Sequence, residues 1–119
     1  MKITVSLKEN HLFRRLYRKG KTAADSRLAL YVRPNGRKEN RLGFTVSTKL
    51  GHAVVRNRTR RRLREIYRLH EDDMVRGRDI VVVARVRAAN STYRQLERSF
   101  LSLAGKLELL KQEKDAERA

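Results

Sequence analysis

Apolar residues recur along the chain in two periods, and these periods predict its elements. Around Leu12 and Leu16 they recur every three or four positions, which predicts a first helix that Gly20 ends. Ser6 and Glu9 have the spacing of a capping box and mark the expected start of this helix.

Two short segments then alternate strictly between apolar and polar positions. Residues 27–33 (RLALYVR) and 41–47 (RLGFTVS) each place their aliphatic side chains on one face, as half-buried strands do. The Pro-Asn-Gly at 34–36 is typical of a turn. We therefore expect the two segments to pair as antiparallel strands.

The second half of the chain adds one strand and a long helix. Residues 79–85 (DIVVVAR) form an unbroken apolar run, which indicates a strand covered on both faces. Thr92 and Gln95 form a second capping box at the start of the last helix. We expect the charged tail 111–119 to fray. The apolar stripe of the last helix comprises Leu96, Phe100, Leu103, Leu107 and Leu110.

The order helix, two or three strands, helix, strand, helix predicts an α+β fold, a compact α/β sandwich with helices packed on one sheet. The 119 residues contain no internal repeat or linker. We expect a single domain over 1–119, with an ordered core of about 7–110.

Between the strands lies RNRTRRRLREIYR (56–68), with seven arginines in thirteen positions. At roughly 100° per residue, a helix here has an apolar arc and an opposite basic arc, and Glu65 lies outside the basic one. A solvated helix face normally mixes both signs of charge, so a polyanionic partner is expected. The apolar arc comprises Val55, Thr59, Leu63, Ile66 and His70, with Tyr67 at its edge, and the basic arc comprises Asn57, Arg60, Arg61, Arg64 and Arg68.

Composition supports the same expectation. The formal net charge is +17 and the pI is near 11.3, which makes nucleic acid the first candidate partner and an anionic membrane surface the second. No cysteine is present for a disulfide or a Cys-based zinc site, and the N-terminal segment lacks the apolar stretch of a signal peptide or membrane span. We expect a soluble, cytoplasmic protein without membrane or DNA partners.

Three aromatic residues predict a second binding site. Phe13 and Tyr17 lie four positions apart on the first helix, and Tyr31 is out of phase with the aliphatic face of its strand. Aromatic rings beside cations suit single-stranded RNA, because bases stack on the rings and the backbone meets the charges. The same spacing also fits Phe13 and Tyr17 as core residues. The cations nearest in sequence include Arg14, Lys19 and Arg33.

The segment STKLGHAVVRNRTRRRLRE (47–65) resembles the hallmark block of the bacterial ribonuclease P protein family, whose core is Arg-Asn-Arg. Phe13, Tyr17 and Gly20, the Leu-Tyr ending at Tyr31 and the strand ending in Ala-Arg at 84–85 agree with the family over about residues 7–110. Arg60 stands where the family often has Lys, and Arg62 where an aliphatic residue is common. The first departure keeps the positive charge, and the second adds one.

The resemblance implies an accessory subunit and not a catalyst. In this family a large RNA, with Mg²⁺ held mainly by RNA and substrate, removes the 5′ leader of precursor tRNA, and no protein-bound cofactor or catalytic residue is expected. The family fold joins two parallel strands through the arginine-rich helix by a left-handed crossover. The resemblance assigns Phe13, Tyr17 and Tyr31 to the leader cleft, and we expect the neighbouring cations Arg14, Lys19 and Arg33 to line it with them. It assigns Lys49, Arg56, Asn57, Arg58, Arg60, Arg61, Arg64 and Arg68 to the catalytic RNA.

Two other classes stay open on the residues alone. A ribosomal or generic basic RNA-binding protein would share the arginine helix but would not require the ordered Gly-x-Ala-Val-x-Arg-Asn block. A DNA-binding module could place such a helix in a major groove. No helix with a short turn precedes the basic helix, as a helix-turn-helix would require.

Overall fold

The computed structural model describes residues 4–111, and within them five strands form one sheet with three α-helices. The α+β class is therefore confirmed. The elements are β1 (Thr4–Ser6), α1 (Asn10–Lys19), β2 (Lys21–Ala24), β3 (Leu28–Pro34), β4 (Asn40–Val46), α2 (Ala53–His70), β5 (Arg78–Ala84) and α3 (Tyr93–Lys106). Short 3₁₀ turns lie at Thr48–Leu50, Glu71–Asp73 and Val86–Asn90.

The sheet has the strand order β1-β4-β5-β3-β2, with β5 at its centre. The expected direct pairing of 27–33 with 41–47 is wrong, because β5 lies between them, antiparallel to β3 and parallel to β4. The reason is burial: β5 has the longest unbroken apolar run, and only a central position covers both of its faces.

Helix α2 makes the connection between the adjacent parallel strands β4 and β5. Parallel neighbours cannot be joined by a tight turn, so a crossover element is required there. The arginine-rich helix is thus fixed against the sheet at both ends. The left-handed sense of this crossover stays a prediction.

Alternation along β5 separates two layers. Ile80 and Val82 point into the main core beneath α2 and α3, whereas Val81 points to the opposite face, beneath α1. Tyr67 and Phe100 join α2 to α3 within the main core, with ring centroids 6.3 Å apart. Helices α2 and α3 therefore cover one face of the sheet, and α1 alone covers the other.

The N-terminal end differs from expectation. Ser6 belongs to β1, which pairs in parallel with β4, and the N–H of Leu7 donates to the carbonyl of Leu42. Because these residues are extended, the predicted capping box at Ser6 and Glu9 is wrong; Glu9 is the N-cap and its side chain makes no cap hydrogen bond. Gly20 ends α1 as predicted.

The C-terminal end begins as expected and stops earlier. Thr92 and Gln95 form the predicted capping box, but α3 ends at Lys106, before the last two leucines of the stripe, Leu107 and Leu110. A left-handed turn at Glu108 (φ 57°) redirects the chain, and the N–H of Lys111 donates to the carbonyl of Asp73. The rest of the expected frayed tail, 112–119, lies outside the described residues, and the single domain over 1–119 stays a prediction.

Candidate nucleic-acid interface

Helix α2 has the amphipathic division that its sequence predicts. Thr59, Leu63, Ile66 and Tyr67 are buried against the sheet and α3. The basic arc faces away from the core, with Arg60 half-buried and the other members exposed. We call this surface, made of Asn57, Arg60, Arg61, Arg64 and Arg68, the arginine face.

Arg60 and Arg64 of the arginine face line a cleft together with residues of β4, and each has a neighbour that orients it. Arg60 Nη1 donates to Asn57 Oδ1 at 3.3 Å, one helical turn away. The guanidinium carbon of Arg64 lies 6.0 Å from the centroid of the Phe44 ring, within range of a cation–π contact. Asn57 therefore orients Arg60, and Phe44 orients Arg64.

Arg68 has an acidic partner on the same helix. Its Nε donates to Glu65 Oε2 at 3.0 Å, and this hydrogen bond lowers the pKa of Glu65 and raises the pKa of Arg68. Both side chains are about half-exposed, so water screens the pair and a stronger anion can displace it. Arg68 is consequently the member of the arginine face whose charge is most nearly compensated.

The remaining predicted contacts flank the arginine face. Lys49 is exposed in the 3₁₀ turn that leads into α2. Arg56 is half-buried, and its Nε is shielded from solvent without a hydrogen-bond partner in residues 4–111. Arg58 and Arg62 donate to the carbonyls of Ala89 and Ser91, at 3.4 Å and 3.3 Å, and so tie α2 to the segment before α3. Arg58 remains exposed. Arg62 is half-buried, and its hydrogen bond to the Ser91 carbonyl explains why a polar residue stands at this position.

The three predicted aromatic residues meet on the other sheet face. The ring centroids of Tyr17 and Tyr31 are 4.9 Å apart in an edge-on arrangement, and those of Phe13 and Tyr17 are 6.5 Å apart. The Tyr17 hydroxyl is 2.6 Å from Thr45 Oγ1, and 43% of the residue is exposed. We call this surface the aromatic cleft.

The floor of the aromatic cleft is a strip of sheet that α1 leaves partly open. Ala29, Tyr31, Thr45 and Val83 come from three neighbouring strands, and all four are half-buried. Half-buried apolar groups next to an exposed tyrosine give bases a surface on which to stack.

Close packing of Phe13 depends on a glycine in β4. A Cβ on Gly43 would lie 2.6 Å from Phe13 Cζ and 2.9 Å from Cε1, closer than packed carbon atoms come. The missing side chain lets the Phe13 ring lie directly on the strand. Sequence reasoning assigned Gly43 no role, because the contact joins residues thirty positions apart.

A cleft of about 220 Å³ joins the two surfaces where β1 ends and the edge of β4 becomes free. It contains Phe13 and Gly43 from the aromatic side and Phe44, Arg60 and Arg64 from the arginine side. Phe44 was missed as a site residue, since its alternation with Leu42 and Val46 indicated the core. The two predicted surfaces are therefore continuous around one sheet edge.

The predicted cleft cations do not lie together. Arg14 and Lys19 are exposed on α1 and line a separate groove with His11, Arg15 and Arg18. Arg33 is half-buried on the sheet face that carries Tyr31, in register with Asp79. Asp79 is held by Arg41, whose Nε and Nη2 donate to its two carboxylate oxygens at 2.7 Å and 2.8 Å.

Membrane-spanning helices and metal-ligand clusters are both absent from residues 4–111. None of the helices there is both long enough and apolar enough for a membrane span. Histidine and carboxylate side chains in this part of the chain form no group of three or more suited to a metal ion.

The chain is similar in sequence to proteins of one known family. The family model described as Ribonuclease P matches residues 1–108. The ribonuclease P protein component of Natranaerobius thermophilus is 42% identical over 106 residues, covering 89% of this chain and 92% of the relative. That of Desulforamulus reducens is 43% identical over 115 residues, covering 97% and 100%.

Solved structures show the same fold. The Staphylococcus aureus RNase P protein superimposes with a TM-score of 0.83 at 33% identity, covering 89% of this chain and 97% of that one. The Thermotoga maritima RNase P protein, solved with 1-(4-fluorophenyl)-2-thiourea, gives 0.77 at 27% identity, covering 88% and 99%. The chain belongs to the ribonuclease P protein family.

Proposed function

We propose that the arginine face binds the catalytic RNA of ribonuclease P and that the aromatic cleft holds the single-stranded 5′ leader of precursor tRNA. As a family member, the chain is the protein subunit of a ribonucleoprotein endoribonuclease that processes precursor tRNA. The observation that carries the two assignments is the cleft at the free edge of β4, where both surfaces meet. The family assignment favours this function over a generic RNA-binding protein.

The chemistry of the arginine face suits an RNA backbone. Guanidinium groups grip phosphate oxygens with two parallel hydrogen bonds and can also stack on bases. Asn57 accepts a hydrogen bond from the Arg60 guanidinium, so the fork is oriented before RNA arrives. We assign contacts with the catalytic RNA to Lys49, Arg56, Asn57, Arg58, Arg60, Arg61, Arg64 and Arg68.

The aromatic cleft suits an unpaired strand of any sequence. Bases of all four kinds have faces that stack on tyrosine and phenylalanine rings, so Phe13, Tyr17 and Tyr31 accept leaders of varied composition. Arg33, on the same sheet face as Tyr31, supplies positive charge for the backbone. A structured or absent leader would leave these rings without a partner.

The chain assists catalysis by charge and position. In our proposal, Mg²⁺ is held by the RNA subunit and the substrate and supplies the chemistry of phosphodiester hydrolysis. Catalytic RNA and substrate are both polyanions, and a protein with a net charge of +17 lodged between them replaces part of the diffuse cation screening with fixed charge. We place the complex in the cytoplasm, together with its precursor-tRNA substrates.

Single-turnover cleavage of precursor tRNA by a bacterial ribonuclease P RNA tests this function. We expect the protein to lower the magnesium concentration that cleavage requires, and to do so less as magnesium is raised or as the leader is shortened. Protein rigorously freed of RNA should not cleave. Cleavage by that protein, or a benefit indifferent to both magnesium and leader length, would overturn the proposal.

A further inference from the structure

Helix α1 carries a second cationic surface that the two assigned surfaces do not include. Its inner side packs Leu12, Phe13 and Leu16 against the sheet. Its outer side, turned away from the sheet by helical geometry, is exposed and entirely basic. We call this the outer α1 surface; it consists of His11, Arg14, Arg15, Arg18 and Lys19.

The arginine charges of the outer α1 surface lack carboxylate partners in the part of the chain that the structure describes. Glu9 pairs with His11 at 3.3 Å, but no carboxylate in residues 4–111 forms an ion pair with Arg14, Arg15 or Arg18. Like charges three and four positions apart repel on a helix, so this arrangement destabilises α1 unless an anion occupies it. The side chains also surround a groove of about 320 Å³ on the helix surface.

The position of this groove indicates which anion it meets. Tyr17, the exposed member of the aromatic cleft, is adjacent in sequence to Arg18 and lies near the C-terminal end of α1. A helix with its side chains is about 10–12 Å across, a distance that a few extended nucleotides cover. The arginine face lies across the sheet, because α1 packs on the face opposite to α2.

We propose that the leader, after leaving the aromatic cleft beside Tyr17, passes over the C-terminal end of α1 and binds the outer α1 surface through its phosphates. This inference rests on the proposed function of the aromatic cleft and extends it to the distal leader. The contacts are electrostatic and independent of sequence, because four of the five lining residues are Arg or Lys and none is Phe, Tyr or Trp. Arg14 and Lys19 then contact the leader outside the aromatic cleft.

The test compares leader lengths in the assembled complex of protein and catalytic RNA. The variant Arg14→Ala/Arg15→Ala/Arg18→Ala removes three exposed charges without touching the core. The control variant Arg94→Ala/Arg98→Ala/Lys106→Ala removes three exposed charges from α3. Binding of precursor tRNA is measured with a leader just long enough to fill the aromatic cleft and with one several nucleotides longer.

We expect the α1 variant to weaken binding of the long-leader substrate by about tenfold and to reduce its log–log salt slope by about 2, at roughly 0.7 per single-strand phosphate contact. Binding of the short-leader substrate and of the catalytic RNA should match the control variant. An equal loss for both leaders, or weaker binding of the catalytic RNA, would overturn the inference. Tyr31→Ala in the same assay tests the aromatic cleft independently, since it should weaken binding of the short-leader substrate as well.

Discussion

The arginine face and the aromatic cleft recognise RNA on the same small protein by different physical means. The arginine face comes from consecutive turns of one helix, and its exposed cations need little support from neighbouring elements. The aromatic cleft takes residues from α1, β3 and β4, and its rings are positioned by packing. Binding by the first surface should therefore depend on salt and charge count, and binding by the second on shape.

The difference also concerns stability. Removing an exposed arginine leaves the core intact, because surface charges contribute little to folding. Tyr31 and Phe13 belong to the small cluster with Leu7, Leu16 and Val81, so they support the fold as well as the site. Every test of the aromatic cleft consequently requires a separate measurement of stability.

The largest effect is expected from Arg60→Ala/Arg61→Ala/Arg64→Ala. Loss of three duplex phosphate contacts should reduce the salt slope of binding to the catalytic RNA by about 2.7 and weaken binding by roughly tenfold to a hundredfold at moderate salt. Filter binding across a salt series measures both quantities. The α3 control variant should leave the slope nearly unchanged; an unchanged slope in both variants, with intact folding, would place the interface elsewhere.

Tyr31→Ala should reverse this pattern. Loss of base stacking should cost about 1–3 kcal/mol in affinity for a precursor with a leader, with little change for mature tRNA or for the catalytic RNA alone. The salt slope should stay constant, because no charge is removed. Tyr17→Ala provides a matched variant that disturbs the core less, since Tyr17 is more exposed. A loss equal across the three ligands would indicate misfolding instead of a stacking site.

The sequence predicted the arginine face almost completely and the aromatic cleft only as a set of residues. Helical periodicity is local, so the positions within this one segment are enough to place Leu63 on the buried side of α2 and Arg64 on the exposed side. The contacts of the cleft depend on strand order, and the expected pairing of β3 with β4 was wrong. Because β5 lies between β3 and β4, Tyr31 and Thr45 are two strands apart, and Tyr17 on α1 contacts both of them. No periodicity within one element contains that information.

Gly43→Ala tests whether shape alone governs the cleft. The added Cβ would press on the Phe13 ring, and displacement of that ring should destabilise the fold by about 1–3 kcal/mol and weaken binding of the leader. Binding of the catalytic RNA should not change once the protein is folded. Thermal unfolding and leader binding are measured together.

Gly105→Ala is the matched control for this substitution. Gly105 lies in α3 with nothing within 4 Å of an added Cβ, so alanine should leave stability unchanged or raise it by up to about 1 kcal/mol. Equal stability changes at Gly43 and Gly105 would contradict the close packing of Phe13.

The smallest expected effect is a gain in affinity, and it separates the contribution of charge from that of shape. Glu65→Gln removes the acid that holds Arg68, while the amide keeps nearly the same size. Because Glu65 is ionised at neutral pH and hydrogen bonds from Arg68 lower its pKa further, the substitution releases one full positive charge on the arginine face. Affinity for the catalytic RNA should rise by about two- to fivefold, and the salt slope should steepen by up to about 0.9.

Glu108→Gln is the control, because this exposed position beyond α3 makes the same change in net charge away from the arginine face. If the two substitutions raise affinity equally, net charge and not the release of Arg68 explains the gain; if Glu65→Gln weakens binding, the pair holds Arg68 in its RNA-binding orientation.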